Sequence, residues 1–171
     1  MERFLNLHSV GIPADRNSGP NGSEREEMRE ILRTPGKFVM TAETRQLRVL
    51  VVEDEALIRW SIAETLAHGG HTVLEAGSAG GAVRALENTP EPVDVVLLDY
   101  RLPDSNDLGL LADIRRRVPE SAVVMMTAYG TPEVTRGALE LGAYRVVNKP
   151  FDMHGLESLV LEADRSRPTR H

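Results

Sequence analysis

The chain predicts an α/β protein whose centre is a doubly wound parallel sheet built from five strand-helix units. From Leu47 onward, short runs rich in Val, Leu and Met alternate with longer segments whose apolar residues recur at helical spacing. The strand runs are almost continuously apolar, as expected for strands covered by helices on both faces. Four of these runs also end in polar residues of different kinds: Val51-Val52 in Glu53-Asp54, Leu97-Leu98 in Asp99, Met125-Met126 in Thr127, and Val146-Val147 in Asn148-Lys149-Pro150. In open α/β sheets the carboxyl ends of the strands form the ligand crevice. These endings therefore describe one site, and carboxylates, a hydroxyl and an ammonium together suit a metal and a phosphoryl group.

Arg48 to Val52 reads as a buried strand, and Ala56 to Ala67 as a helix carrying Leu57, Ile58, Ile62 and Leu66, closed by Gly69-Gly70. The pattern repeats as strand 71 to 75, helix 79 to 88, strand 94 to 98 and helix 107 to 117. It continues as strand 122 to 126, helix 132 to 141, strand 144 to 148 and helix 153 to 164. Thr131-Pro132 supplies a cap and a proline at the first helical position, and Asp152 can cap the last helix. Gly77-Ser78-Ala79-Gly80-Gly81 stands where a dinucleotide fingerprint would, but its spacing is not G-x-G-x-x-G, so it reads as a loop and a weak helix start.

At 171 residues the chain is long enough for one domain with a sizeable core and an appendage. Residues 1 to 46 have few large apolar residues and two turn-rich stretches, Gly11-Ile12-Pro13 and Gly19-Pro20-Asn21-Gly22, so they read as a disordered or weakly helical tail. Within it Ser23 and Glu26 form a capping-box pattern ahead of Met28, Ile31 and Leu32, a short amphipathic helix that would fray alone in water. Met40 is an alternative start of translation under this reading. The folded domain is expected over 47 to 165, with a polar C-terminal tail over 166 to 171.

Composition excludes several function classes. No apolar run approaches the roughly 18 residues needed to span a membrane, and the first residues lack the apolar core of a secretory signal, so a cytoplasmic protein is expected. With no cysteine and five scattered histidines, thiolate and clustered-histidine metal sites are disfavoured. Residues 1 to 46 carry seven basic and seven acidic groups, so the whole net charge of -6 lies on the folded part. An acidic domain is a poor general binder of nucleic acid. Arg115-Arg116-Arg117, the one basic triplet, reads as a solvated helix face. Lysine usage is more pointed: of 20 basic residues only Lys37 and Lys149 are lysines, so the folded part keeps a single ammonium among its guanidinium groups. A compact point charge on a flexible stem can follow a small mobile phosphoryl oxygen where a planar fork cannot.

The ordered motifs Val51-Val52-Glu53-Asp54-Glu55, Leu97-Leu98-Asp99-Tyr100-Arg101-Leu102-Pro103, Met126-Thr127-Ala128 and Lys149-Pro150-Phe151 closely resemble those of two-component response-regulator receiver domains, over about residues 47 to 165. The stretches around Thr127 and Lys149 are most similar to the nitrogen-regulator class. The resemblance implies a flavodoxin-like (βα)5 fold with strand order 2-1-3-4-5. It implies that Asp99 is the nucleophile phosphorylated by a sensor histidine kinase or a histidine phosphotransfer protein, with Mg2+ as cofactor. Asp54 and Asp99 would bind the ion directly, Glu53 directly or through water, and the Arg101 backbone carbonyl would add another oxygen. Lys149 would contact one phosphoryl oxygen and the Thr127 hydroxyl another, and the Lys149-Pro150 peptide would be cis.

Two places depart from the family pattern. The switch position three residues before the lysine, usually aromatic, is Val146; Tyr144, two residues earlier and on the same strand face by alternation, is a candidate substitute. The usual Gly-x-Asp-Gly turn reads Asp104-Ser105-Asn106-Asp107, so Asn106 or Asp107 must tolerate any positive φ. Arg101 and Tyr129 flank the expected path of a hydrolytic water. The receiver stretch runs almost to the last residue, so the expectation is a stand-alone regulator, not an enzyme beyond its own phosphorylation and dephosphorylation. It would signal to an unknown output protein or form a homodimer through the surface of about residues 132 to 164. The alternative is a phosphorelay intermediate or phosphate sink. A metal-dependent phosphatase would need a second acid shortly after the nucleophile, where Arg101 stands.

Overall fold

A computed structural model of the chain describes residues 45–167. Within them the alternation resolves into β1 (Arg48–Val52), α1 (Ala56–His68), β2 (Thr72–Ala76), α2 (Ala79–Asn88) and β3 (Val95–Asp99), followed by α3 (Gly109–Arg117), β4 (Ala122–Thr127), α4 (Pro132–Glu140), β5 (Arg145–Asn148) and α5 (Leu156–Arg165). All strand pairs are parallel, in the order β2-β1-β3-β4-β5. The amphipathic helix expected near Met28 and Ile31 lies outside the described residues, as do residues 168–171.

Alternation along each strand feeds two apolar layers. Leu50, Val52, Val96, Leu98, Val123 and Met125 face α2, α3 and α4, whose Ala82, Leu111, Ile114 and Ala138 complete that layer. Val49, Val51, Val95, Leu97, Val124 and Met126 face α1 and α5, which contribute Ile62, Leu66, Leu156 and Val160. The central strands β3 and β4 are buried along their whole length, while edge strand β5 is not. That is why β3 and β4 are the most apolar runs in the chain. Each fully buried Leu, Val or Ile stabilises the fold by about 1.5–3 kcal/mol.

Local differences from the sequence reading have identifiable causes. Leu57 is 73% exposed: Ile58, Ile62 and Leu66 make the i, i+4 line that faces the sheet, and Leu57 falls off it beside exposed Trp60. The last helix begins with a separate 3₁₀ turn, Met153–Gly155, and the Asp152 carboxylate caps that turn by accepting from the His154 N–H at 2.9 Å. Thr131 caps α4 as expected, accepting from the Val134 N–H at 3.3 Å. Gly70 closes α1 at φ +85°, a conformation that costs glycine little.

Asn106 and Asp107 do not adopt positive φ; among the described residues only glycines do. Leu102 and Ser105 instead exchange backbone hydrogen bonds of 2.7 and 3.2 Å, closing the turn without a left-handed residue. Both expected tails reach into the domain. Arg45 pairs with Asp94 at 2.9 Å and with Asp164, and Arg167 pairs with the same two acids.

Candidate functional site

Strand register places the site. Val52 is aligned with Leu98, Asp99 with Met126, and Thr127 with Asn148. The residues that end β1, β3, β4 and β5 therefore meet at one edge of the sheet. The Lys149 N–H donates to the Thr127 carbonyl at 2.7 Å, extending the β4–β5 ladder by one residue to the cis Lys149-Pro150 peptide.

Glu53 is fully buried and Asp99 nearly so, whereas Asp54, one residue further, is exposed. Buried carboxylates need a partner, and Lys149 supplies it. Its ammonium donates to Asp99 Oδ2 at 2.9 Å and also to Glu53 Oε2. Burial pushes the Glu53 carboxyl above its ordinary range; the Lys149 hydrogen bond works against that shift and the neighbouring Asp99 charge reinforces it. Burial alone would lower the Lys149 pKa, but the hydrogen bonds it donates to Glu53 and Asp99 outweigh it and hold the ammonium above its ordinary value. Lys149 is thus the counter-ion of two carboxylates, one directly after β1 and one at the end of β3.

One carboxylate oxygen from each of Glu53, Asp54 and Asp99 lies within 4.8 Å of the others. An oxygen-only set suits a hard divalent cation, whose ligand sphere is about 4.2 Å across for magnesium. The donors present fit such an ion. The Arg101 backbone N–H donates to Asp99 Oδ1 at 3.3 Å, so the turn after β3 orients the carboxylate. The Thr127 hydroxyl is buried and accepts from the Tyr129 N–H at 3.0 Å. The Arg101 guanidinium stacks on the exposed Tyr129 ring, 4.7 Å from its centroid.

Val146 does not reach this cluster. It is half-buried and packs in the layer beneath α2, α3 and α4. Tyr144 is not on its face, contrary to the alternation argument: it packs in the opposite layer and stacks with Arg145. Tyr144 precedes the first paired residue of β5, so the strand pleat does not fix its direction.

Sequence reasoning passed over two groups. Arg59, on α1, donates to the Glu53 and Asp54 carbonyls at 2.7 and 3.3 Å. Asp104 accepts from the Ala79 and Gly80 N–H groups at 2.8 and 3.0 Å, tying the turn after β3 to the start of α2. Those two hydrogen bonds, Gly80 first, hold its carboxyl below the usual range. Neither residue announces itself among 18 arginines and many acids. The helix period does place Arg59 one turn beyond Glu55, within reach of the acid pair.

A doubly wound sheet with three acids, a hydroxyl and one ammonium at its carboxyl edge defines an α/β domain whose site suits a divalent cation and an anionic group. Residues 49–161 match the family model of the response regulator receiver domain, and the chain belongs to that family. It is 39% identical over 121 residues to the response regulator protein PilR of Pseudomonas aeruginosa, covering 70% of this chain and 26% of that protein. It is 35% identical over 116 residues to the DNA-binding transcriptional regulator NtrC of Escherichia coli K12, covering 67% and 24% respectively. The chain thus spans about a quarter of the length of the curated relatives it matches. Among solved structures, the receiver domain of NtrX from Brucella abortus superposes with a TM-score of 0.62 at 33% identity over 69% of this chain and 98% of that one. A CheY-like receiver domain protein from Methanospirillum hungatei gives 0.65 at 28% identity, covering 70% and 97%. Among the described residues no helix is long and apolar enough to cross a membrane.

Proposed function

We propose that this receiver domain accepts a phosphoryl group on Asp99 from a phosphohistidine of a sensor histidine kinase or phosphotransfer protein, and that the phosphorylated surface signals by protein–protein contact. The carrying observation is a buried carboxylate at the sheet edge, held by an ammonium at 2.9 Å with two further carboxylates beside it. An Asp99 oxygen attacks phosphorus, the phosphorus–nitrogen bond breaks, and the imidazole leaves with the bonding pair, giving an acyl phosphate. Such a transfer asks the protein mainly for positioning and charge stabilisation.

Each residue then has a physical task. Glu53, Asp54 and Asp99, with the Arg101 backbone carbonyl, would hold Mg2+, which supplies neutralising charge for the phosphoryl oxygens when bound. Lys149 already touches Asp99 and moves to a phosphoryl oxygen as the charge on the aspartate is transferred outward. The Thr127 hydroxyl receives a hydrogen bond from Tyr129 and keeps its own proton to donate to another phosphoryl oxygen. Arg101 and Tyr129, stacked beside the acceptor, limit approach of water to the acyl phosphate.

The test is incubation with magnesium and a small phosphoryl donor, followed by intact mass. Wild type should gain one phosphoryl group and Asp99→Asn none. Equal labelling of both proteins, or no labelling of wild type by small donors and by histidine kinases, overturns the proposal.

A further inference from the structure

The acid pair ends a strand and opens a loop, so its geometry depends on what holds the backbone there. Arg59 Nη1 donates to both carbonyls of the pair, at 2.7 Å to Glu53 and 3.3 Å to Asp54. Its Nε faces Glu75 Oε2 of β2 at 3.3 Å. Gly77 leaves the room the guanidinium occupies: a Cβ there would stand 3.2 Å from Nη1. The Glu53 side chain turns back as well, its Oε1 accepting from the Glu55 N–H at 3.2 Å. Backbone carbonyls, guanidinium, carboxylate and glycine thus form one chain of contacts from β2 to the acid pair.

We propose that Arg59 is a positioning residue for the cation site, fixing the Glu53-Asp54 backbone so that their carboxylates converge with Asp99, and that Glu75 and Gly77 hold Arg59 in that pose. The assignment rests on the divalent-cation reading of the three acids. Its sign separates it from simple electrostatics. A guanidinium near a divalent cation repels it, so charge alone predicts that removing Arg59 tightens binding, whereas positioning predicts that binding weakens. Outer partners that orient metal ligands are commonly worth about 10–100-fold in affinity.

The experiment titrates wild type, Arg59→Met, Arg59→Lys and Gly77→Ala with Mn2+, following the free ion by electron paramagnetic resonance. Amide hydrogen exchange at residues 53–55 is recorded in the same proteins without metal. Arg59→Met should bind about tenfold more weakly and exchange faster at Glu55. Arg59→Lys keeps the charge but lacks the planar fork in which Nη1 grips both carbonyls while Nε faces Glu75, and should weaken binding comparably. Gly77→Ala, at a position with ordinary backbone, should push the guanidinium aside and cost a few-fold. Unchanged or tighter binding by Arg59→Met overturns the assignment. Absence of Mn2+ binding by wild type defeats the cation reading instead, and the exchange arm then decides alone whether Arg59 grips the acid pair: no change at Glu55 overturns that too.

Discussion

Replacing Lys149 by methionine removes the one positive charge between Glu53 and Asp99 while keeping most of the side-chain volume. In the folded protein the Lys149 side chain is only 15% exposed, and its ammonium touches a fully buried and a nearly buried carboxylate. Each contact is worth up to about 4 kcal/mol at 4 Å with an effective dielectric near 20. Desolvation offsets much of that gain, but stripping one member from a buried ion pair still costs about 3–5 kcal/mol. Protonation of Glu53, whose carboxyl burial already holds high, relieves part of the strain, so the expected loss at neutral pH is about 2–4 kcal/mol without metal. A divalent cation on the same carboxylates replaces the missing charge, so Lys149→Met should bind Mg2+ more tightly; a tenfold gain returns about 1.4 kcal/mol at saturating metal. Urea denaturation followed by circular dichroism, in chelator and in saturating magnesium, measures both quantities. A variant as stable as wild type in chelator, or one whose deficit is the same with and without magnesium, refutes the reasoning.

Three other outcomes follow from the same structure. Because the Glu53 carboxyl is held above its ordinary value of 4.5, its folded form retains a proton that the unfolded chain has lost; ionising it on raising the pH through that interval lowers stability, while deprotonation favours the cation. Mg2+ affinity measured by calorimetry should therefore begin to fall at a pH above 4.5 as acid is added, and an affinity constant down to that pH contradicts the assignment. Tyr129→Ala removes the ring under the Arg101 guanidinium and should shorten the acyl-phosphate half-life several-fold; an unchanged half-life by intact mass contradicts the shielding role. Ile114→Ala empties a fully buried position on α3 and should cost about 2–5 kcal/mol in chemical denaturation; a loss below about 1 kcal/mol would place Ile114 outside the tight layer.

The sheet was legible because its physics is repetitive. A parallel strand buried on both faces has to be nearly all apolar, and β3 and β4 are. Asp99 and Lys149 were legible because each interrupts a pattern, one ending an apolar strand and the other standing alone among arginines. What stayed hidden depends on direction rather than residue type. Alternation put Tyr144 with Val146, but alternation holds only inside the paired strand, and Tyr144 sits just outside it. Arg59 and Asp104 act on backbone atoms, and any residue offers a carbonyl or an amide, so no side-chain pattern marks the partner. The stretch 77 to 81 reads as a loop and a weak helix start, and in the fold Ser78 does cap α2; that Gly77 makes room for Arg59 is a spatial relation no spacing signals.

The ion pairs at Asp94 have a consequence for how such a domain is used. Arg45 and Arg167, where the chain enters and leaves the fold, are fastened to this one residue, and Asp94 directly precedes β3. The strand's other end is Asp99, about 16 Å away at 3.3 Å per residue. Both ends of the described stretch therefore lie at the pole opposite Asp99. With Asp99 as the proposed phosphoacceptor, a module anchored in this way can be joined to other polypeptides at either end while that face stays open to a phosphodonor. That portability accords with relatives in which the matching stretch is a quarter of a longer chain.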